Sequence, residues 1–261
     1  METNAANKMI SIVIPCYNEE ANIQRGVLED VVRFLEGRPY PWELIIADDA
    51  SVDNSLALVE AFAARRDNVR LLRLAHGGKP HAILGGIQAA KGDIILFSDM
   101  DLSTPIEEME KLLPWFAKGY DVVIGSRGLV REGFSPFRQF SSWAFRNLRR
   151  ALILPHIVDT QCGFKAFRAA VAKEIFPQLS FFSSERAITG WVVSAFDVEL
   201  LYIAKKWGYR IREVEVIWQD RDESTTKERA GGKFVAESLE MAREILTVIW
   251  NNIKGAYKKP D

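Results

Sequence analysis

Two cysteines and three histidines are all that 261 residues supply, and this scarcity excludes whole classes of protein. Cys16 and Cys162 make no paired framework, so they read as reduced core thiols. His76, His81 and His156 lie far apart without ligand spacing, which removes a thiolate or imidazole zinc centre. No window approaches ~20 uninterrupted apolar residues, so no spanning helix is expected. Met1 to Lys8 is polar and lacks the apolar stretch of a signal peptide. The formal net charge of -1 gives no global attraction to nucleic acid. What remains is ordinary globular composition, 48% hydrophobic and 26% charged, in a chain long enough for one sizeable core.

The first half alternates between two periods. Ile10 to Ile14 is a β-branched run that reads as a buried strand, and Asn18 to Leu35 has helical spacing with Asn18 placed as its cap. Trp42 to Ala47 reads as a second strand, followed by a helix from Asp53 to Arg65 that Asp53 is placed to cap. Val69 to Leu74 is a third strand, Pro80 to Ala90 a helix opened by proline, and Asp93 to Phe97 a fourth strand. Such alternation implies an α/β fold with a mostly parallel central sheet flanked by helices, whose ligands gather at the carboxyl ends of the strands.

Polar clusters stand at those ends: Pro15-Cys16-Tyr17-Asn18-Glu19-Glu20, Asp48-Asp49-Ala50-Ser51-Val52-Asp53, and Asp99-Met100-Asp101. Each alone is explained by turn and cap chemistry, since Asn, Asp and Ser favour both. Together they imply a cation, because two carboxylates 4 Å apart repel by about 4 kcal/mol at an effective dielectric of 20. The Asp99-x-Asp101 spacing can aim both carboxylates at one hard ion, Mg2+ or Mn2+, which prefers oxygen ligands. Thr104-Pro105-Ile106-Glu107-Glu108 starts a helix just beyond.

These residues resemble the family-two inverting glycosyltransferases, whose fold is the GT-A nucleotide-diphospho-sugar transferase type. The resemblance rests on Ile12 to Glu20, Ile46 to Asp53, Gly78-Lys79 through Asp93, and Asp99-Met100-Asp101. Val123-Ile124-Gly125-Ser126-Arg127, Asp159 to Lys165 and Phe196 to Leu201 look like the dolichyl-phosphate beta-glucosyltransferase branch, with dolichol-phosphate mannose synthase as neighbour. The resemblance implies transfer of one hexose from a nucleotide-sugar donor, UDP-glucose or alternatively GDP-mannose, to a polyprenyl phosphate lipid. Carried over, it puts Pro15, Tyr17, Asn18 and Glu19 in the base and ribose pocket, with Asp48 or Asp49 reading the base edge. Asp101 becomes the metal ligand, with Asp99 touching the metal or the sugar. Lys79 is a supporting residue, because Pro80 follows it and the phosphate-loop spacing is missing.

The departing diphosphate needs cations, and Arg127, Arg138, Arg221 and Lys227 are the candidates. The segment Gln219 to Arg229 follows a strand from Ile211 to Trp218 and closes over the donor in the family. A phosphate acceptor is already ionised near neutral pH, its second pKa being about 6, so no general base is required; Asp197 is the residue to test for one. A lipid acceptor requires peripheral contact with the inner face of a membrane from the cytoplasm. An arginine-rich amphipathic helix, Arg138 to Leu154, is favoured for that contact, and the stretch Ser183 to Gly190 for an acceptor loop. The expected organisation is a GT-A domain over 1–230, then an amphipathic helix within 231–261 packed on or beside it. A non-catalytic nucleotide-sugar sensor or membrane scaffold is the rival of another class.

Overall fold

The computed structural model describes residues 8–128, 153–183, 196–221 and 234–259. Arg138, Lys227, most of the arginine-rich helix and nearly all of the stretch from Ser183 to Gly190 lie outside them.

Strand β1 (Ile10–Cys16) pairs in parallel with β2 (Trp42–Asp48), which pairs in parallel with β3 (Val69–Arg73). On its other side β1 meets β4 (Ile94–Phe97), also parallel. Beyond β4 lie β6 (Lys165–Arg168), β5 (Val122–Ser126) and β7 (Ile211–Glu215), in the order β3-β2-β1-β4-β6-β5-β7. Among the described strands only β6 runs antiparallel, against both β4 and β5. The chain therefore leaves β1 toward one edge and restarts on its other side at β4, which opens a crevice between their carboxyl ends. Because β6 is reversed, its first residue, Lys165, is paired with Phe97 and lies at that same end.

The inner strands are apolar on both faces, as parallel strands covered by helices must be. Ile12, Ile14, Leu44, Ile46 and Leu96 face one buried layer, filled by α2 (Val27–Glu36) through Leu28, Val31 and Leu35. Val13, Ile45, Ile95 and Phe97 face the other, with Ile83 and Ile87 of α4 (Lys79–Ala89) and Leu200 and Leu201 of α8 (Phe196–Lys206). Each fully buried aliphatic side chain contributes about 1.5–3 kcal/mol, so one core on each face fixes the strand ends that carry the polar clusters.

The expected helix from Asn18 to Leu35 is two helices, α1 (Glu20–Gln24) and α2, broken where Gly26 takes φ 90°. Asn18 does not cap it. With φ 55°, Asn18 turns its Oδ1 to accept bonds from Val52 N at 2.9 Å and Asp53 N at 3.4 Å, which ties the loop after β1 to the loop after β2. Helix α3 (Ser55–Ala63) starts after Asn54, while the Asp53 carboxylate accepts from Ser55 N and from Glu20 N. Asp53 thus serves the first turns of α1 and α3 together.

After β4, a 3-10 turn (Ile106–Glu108) and the short helices α5 (Met109–Leu112) and α6 (Pro114–Ala117) lead to β5. Helix α7 (Ala169–Ile175) follows β6. The last helix, α9 (Phe234–Ile253), lies on α8, with Ile245 and Val248 buried and Asn252 Oδ1 accepting from Lys206 Nζ at 2.5 Å. Cys16 and Cys162 are both buried and free. Burial raises the pKa of each thiol, with nearby acidic side chains adding to the effect, so neither is a ready nucleophile.

Candidate active site

The acidic turn begins two residues past β4. Leu102, at φ 48°, donates its N–H to the Asp99 carbonyl, so Asp99-Met100-Asp101 is a tight turn rather than an extended strand tip. Asp99 Oδ1 forms an ion pair with Lys79 Nζ at 2.5 Å, and Asp101 Oδ1 accepts from Ser103 N at 2.8 Å. Gly163 approaches from the loop before β6 so closely that a Cβ there would stand 2.0 Å from Asp99 Oδ2. Only glycine leaves that carboxylate its place.

Lys79 opens α4, and its ammonium is the hub of the acidic cluster. Burial alone would lower its pKa, but Asp99 in contact, with Asp197 and Asp101 acting across the site, holds it above the ordinary lysine value. Asp197, in the first turn of α8, accepts from Lys165 Nζ at 2.7 Å. Lys165 itself is fully buried and also donates to the Cys162 carbonyl. Three carboxylates and two ammonium groups therefore converge from β4, α4, β6 and α8.

Arg127, one residue after β5, is fixed by Asp159 through Nε at 2.7 Å and Nη2 at 2.8 Å. Asp159 is positioned in turn by its own N–H, which donates to Glu213 of β7 at 2.7 Å. The Arg127 guanidinium is thus built into a bidentate pair, 13% and 7% exposed, at the rim of the cluster. Arg221 is exposed. Its N–H donates to Ser103 Oγ at 3.2 Å, and Gln219 N donates to the Ser103 carbonyl at 2.8 Å, so the segment after β7 starts against the acidic turn.

The other expected pocket residues surround the ends of β1 and β2. Tyr17 stacks on His76 with ring centroids 4.8 Å apart, and Glu19 Oε2 accepts from Asn22 Nδ2 at 2.6 Å. Pro15 is buried within β1, opposite Ala47. Asp48 accepts from Ser51 through both its N–H and its hydroxyl, while Ser51 Oγ also accepts from Asn18 N. Asp49 is fully buried; its two oxygens accept from Gly77 N and Gly78 N, each at 2.8 Å, and His76 Nδ1 lies 2.9 Å from Oδ2. Both aspartates hold the loops that carry Tyr17, His76 and Lys79.

Sequence reasoning missed Arg25, Gly163 and Lys165 as parts of this arrangement. Arg25 Nη2 donates to the Asp101 carbonyl and Nη1 to the Arg221 carbonyl, each at 2.7 Å, so one guanidinium binds the acidic turn to the segment after β7. Gly163 and Lys165 did stand inside the motif that carried the resemblance, which was the available signal.

Asp99 and Asp101 offer hard oxygen donors. Among the described residues no group of three or more His, Cys, Asp or Glu is placed to hold a metal ion by itself. That donor set fits an ion of the Mg2+ or Mn2+ kind, which takes one or two carboxylates and completes its shell with phosphate oxygens and water.

The profile described as "Glycosyl transferase family 2" matches residues 11–176, from within β1 to the residue after α7. The chain belongs to glycosyl transferase family 2. A relative named dolichyl-phosphate beta-glucosyltransferase from Dictyostelium discoideum is 31% identical over 97% of this chain and 77% of its own length. One of the same name from Homo sapiens is 30% identical over 98% and 79%. Among solved structures, glucosyl-3-phosphoglycerate synthase from Mycobacterium tuberculosis, in complex with Mn2+, UDP and glucosyl-3-phosphoglycerate, is similar at TM-score 0.60 and 20% identity, covering 97% of this chain and 81% of that one. A mannosyltransferase from Pyrobaculum calidifontis in complex with GDP-Man and Mn2+ is similar at TM-score 0.60 and 18% identity, covering 95% and 65%. Both support the GT-A fold. This family-two member is a glycosyltransferase with a mixed sheet, and its acidic turn stands at the crevice where β1 and β4 part.

Proposed function

We propose that the protein transfers a single glucose from UDP-glucose to the phosphate of a polyprenyl lipid at the cytoplasmic face of a membrane, with inversion at the anomeric carbon. The observation that carries this reading is the meeting of Asp99, Asp101 and Asp197 with Lys79 and Lys165 at one sheet end. The glucosyl donor and lipid acceptor follow from the named activity of relatives aligned over nearly the whole chain.

Tyr17, Asn18 and Glu19, over the end of β1 at Pro15, line the base and ribose pocket, and Asp48 and Asp49 set its wall through the loops they hold. Asp101 and Asp99 would hold a divalent ion, which when bound neutralises charge on the donor diphosphate. Lys79 steadies Asp99 and adds positive potential where the leaving group gains negative charge. Arg127 and Arg221, with Arg138 and Lys227, are the further cations assigned to the diphosphate or the acceptor phosphate.

An acceptor phosphate oxygen forms the new bond to the anomeric carbon as the bond to UDP breaks, and UDP departs with the electron pair. The nucleophile arrives ionised, so no proton need be removed. Asp197, already paired with Lys165, therefore orders the acceptor side rather than acting as base. In-line displacement turns an alpha-linked donor into a beta-linked product.

The test is a donor screen with short-chain polyprenyl phosphate, divalent metal and product mass. Transfer from UDP-glucose is expected, with Asp101→Ala reducing it at least ~10²-fold. Unchanged activity in Asp101→Ala would refute the metal role. Preference for GDP-mannose would reassign the sugar, and donor binding without turnover on any acceptor would make the protein a sensor.

A further inference from the structure

Among the described residues five large apolar side chains are exposed: Val52, Ile217, Leu246, Trp250 and Ile253. Three of them are on α9. At helical spacing, Leu246, Trp250 and Ile253 fall within an arc of roughly 60°, turned away from Ile245 and Val248, which are buried on the domain. The helix packs on the domain through Ile245, Val248 and Ile249, but leaves the other side of its apolar stripe uncovered.

The outer face is bordered by cations. Arg243 and Lys254, both exposed, project roughly 20–40° beyond Trp250, and Lys254 Nζ sits 5.0 Å from the centroid of the Trp250 ring. Exposed Lys258 follows in the next turn of chain. Apolar side chains, an indole and flanking ammonium groups suit the boundary between acyl chains and anionic headgroups, where a tryptophan ring and a snorkelling lysine each find both environments. Among the described residues no helix is long and apolar enough to cross a membrane, so a helix lying in the interface is the form of contact α9 can make.

We infer that the Leu246–Trp250–Ile253 face of α9 is the surface by which this chain rests on an anionic lipid bilayer. The inference builds on the lipid acceptor proposed above. A second copy of the chain is a poor occupant. Two-fold pairing about the centre of this face would bring Arg243 of one copy toward Lys254 of the other, cation against cation, and three side chains fall far short of the about 800 Å² per partner that a stable dimer buries. The contact is also joined to the site. Just past α9, the Tyr257 hydroxyl bonds to Glu199 Oε1 at 2.5 Å, two residues from Asp197 in the first turn of α8. A bilayer engaged by α9 would therefore lie along the helix that brings Asp197 to the acceptor side.

The experiment uses the full chain, vesicles of phosphatidylcholine with or without phosphatidylglycerol, and two variants: Leu246→Ser/Trp250→Ser/Ile253→Ser, and Arg243→Gln/Lys254→Gln. Wild type should sediment with anionic vesicles, and the triple variant should bind at least ~tenfold more weakly. The charge variant should lose the preference for anionic over neutral vesicles. The triple variant should keep transfer to a short, water-soluble polyprenyl phosphate while losing transfer to a long-chain acceptor embedded in vesicles. Equal vesicle binding by wild type and triple variant overturns the inference, as does a wild-type dimer that the triple substitution makes monomeric. If the lipid-acceptor reading itself is wrong, no protein transfers to either acceptor while the difference in vesicle binding persists, which separates the two failures.

Discussion

Replacing Gly163 with alanine isolates the acidic turn more cleanly than removing a carboxylate. The new methyl carbon would begin 2.0 Å from Asp99 Oδ2 and 2.6 Å from Asp99 Cγ. A carbon-to-oxygen contact closer than about 3.3 Å is repulsive, so the carboxylate retreats by roughly 1.3 Å. If that retreat is taken along the ion pair, the Lys79 distance grows from 2.5 Å to roughly 3.8 Å. At an effective dielectric of 20 the attraction falls from about 6.6 to about 4.4 kcal/mol. The Asp99 side chain is 36% exposed, so solvent screening reduces the loss to about 1 kcal/mol of stability. Activity suffers more, because a misplacement of about 1 Å at a reacting centre costs on the order of 10²-fold. Steady-state sugar transfer should show a ~10²-fold fall in kcat/KM, with a modest change in the urea midpoint. The decisive control is Gly163→Ala in an Asp99→Ala background, where the methyl group has no carboxylate to displace and should cost little more. A full additional loss in that background would show that alanine acts on something other than Asp99, and the argument would fail.

Three further outcomes follow from the same geometry. Arg25→Met removes the shared donor to the Asp101 and Arg221 carbonyls; kcat should fall roughly tenfold with the fold intact by circular dichroism, and Arg25→Lys should restore only part of it. Arg127→Met leaves Asp159 buried without its bidentate partner, and denaturant unfolding should show a loss of about 3–5 kcal/mol, whereas Arg127→Met/Asp159→Leu should recover much of it. Glu43 concerns pH: burial alone would raise its carboxyl, but bonds from Ser11, Lys91 N and Arg70 outweigh this and hold it below the ordinary 4.5. Its folded pKa thus lies below its unfolded one, so its stabilisation is fully present above 4.5 and is lost as pH falls through the lowered value. Glu43→Gln should flatten the wild-type decline in urea midpoint on that acid side; an unchanged slope would remove Glu43 from the account.

The strands of the first half were legible because parallel strands between helices must be apolar on both faces, which leaves dense β-branched runs such as Ile10 to Ile14. Strand β6 was not, since Lys165 to Arg168 is four residues with a charge at either end, and its Lys165 is buried only by virtue of Asp197 and the Cys162 carbonyl. The break at Gly26 was hidden by apolar residues that keep helical spacing across it, Ile23, Val27, Leu28 and Val31. Asn18 misled because a cap and a loop tie ask for the same side chain, and its partners lie 34 and 35 residues away. Arg25 carries no local signal: an arginine on a helix is ordinarily solvated, and its two carbonyl acceptors come from distant turns.

What the geometry adds to the motifs is a division of labour among carboxylates that look alike in sequence. Asp48, Asp49 and Asp53 each accept backbone N–H groups, Asp48 from Ser51 in its own turn, Asp49 from Gly77 and Gly78, and Asp53 from Ser55 and Glu20, which fixes them and makes the frame rigid. Moving Asp49 would leave two buried donors unpaired, at about 1–3 kcal/mol each. Asp99 is different in kind. It faces a lysine side chain, is over a third exposed, and stands beside a glycine that yields it space. A side-chain ammonium can shift its position when a more highly charged partner arrives, whereas a backbone amide in a packed loop cannot. The frame carboxylates are therefore built for permanence, whereas the Asp99 contact is one that can exchange, as the donor-binding role proposed for it requires.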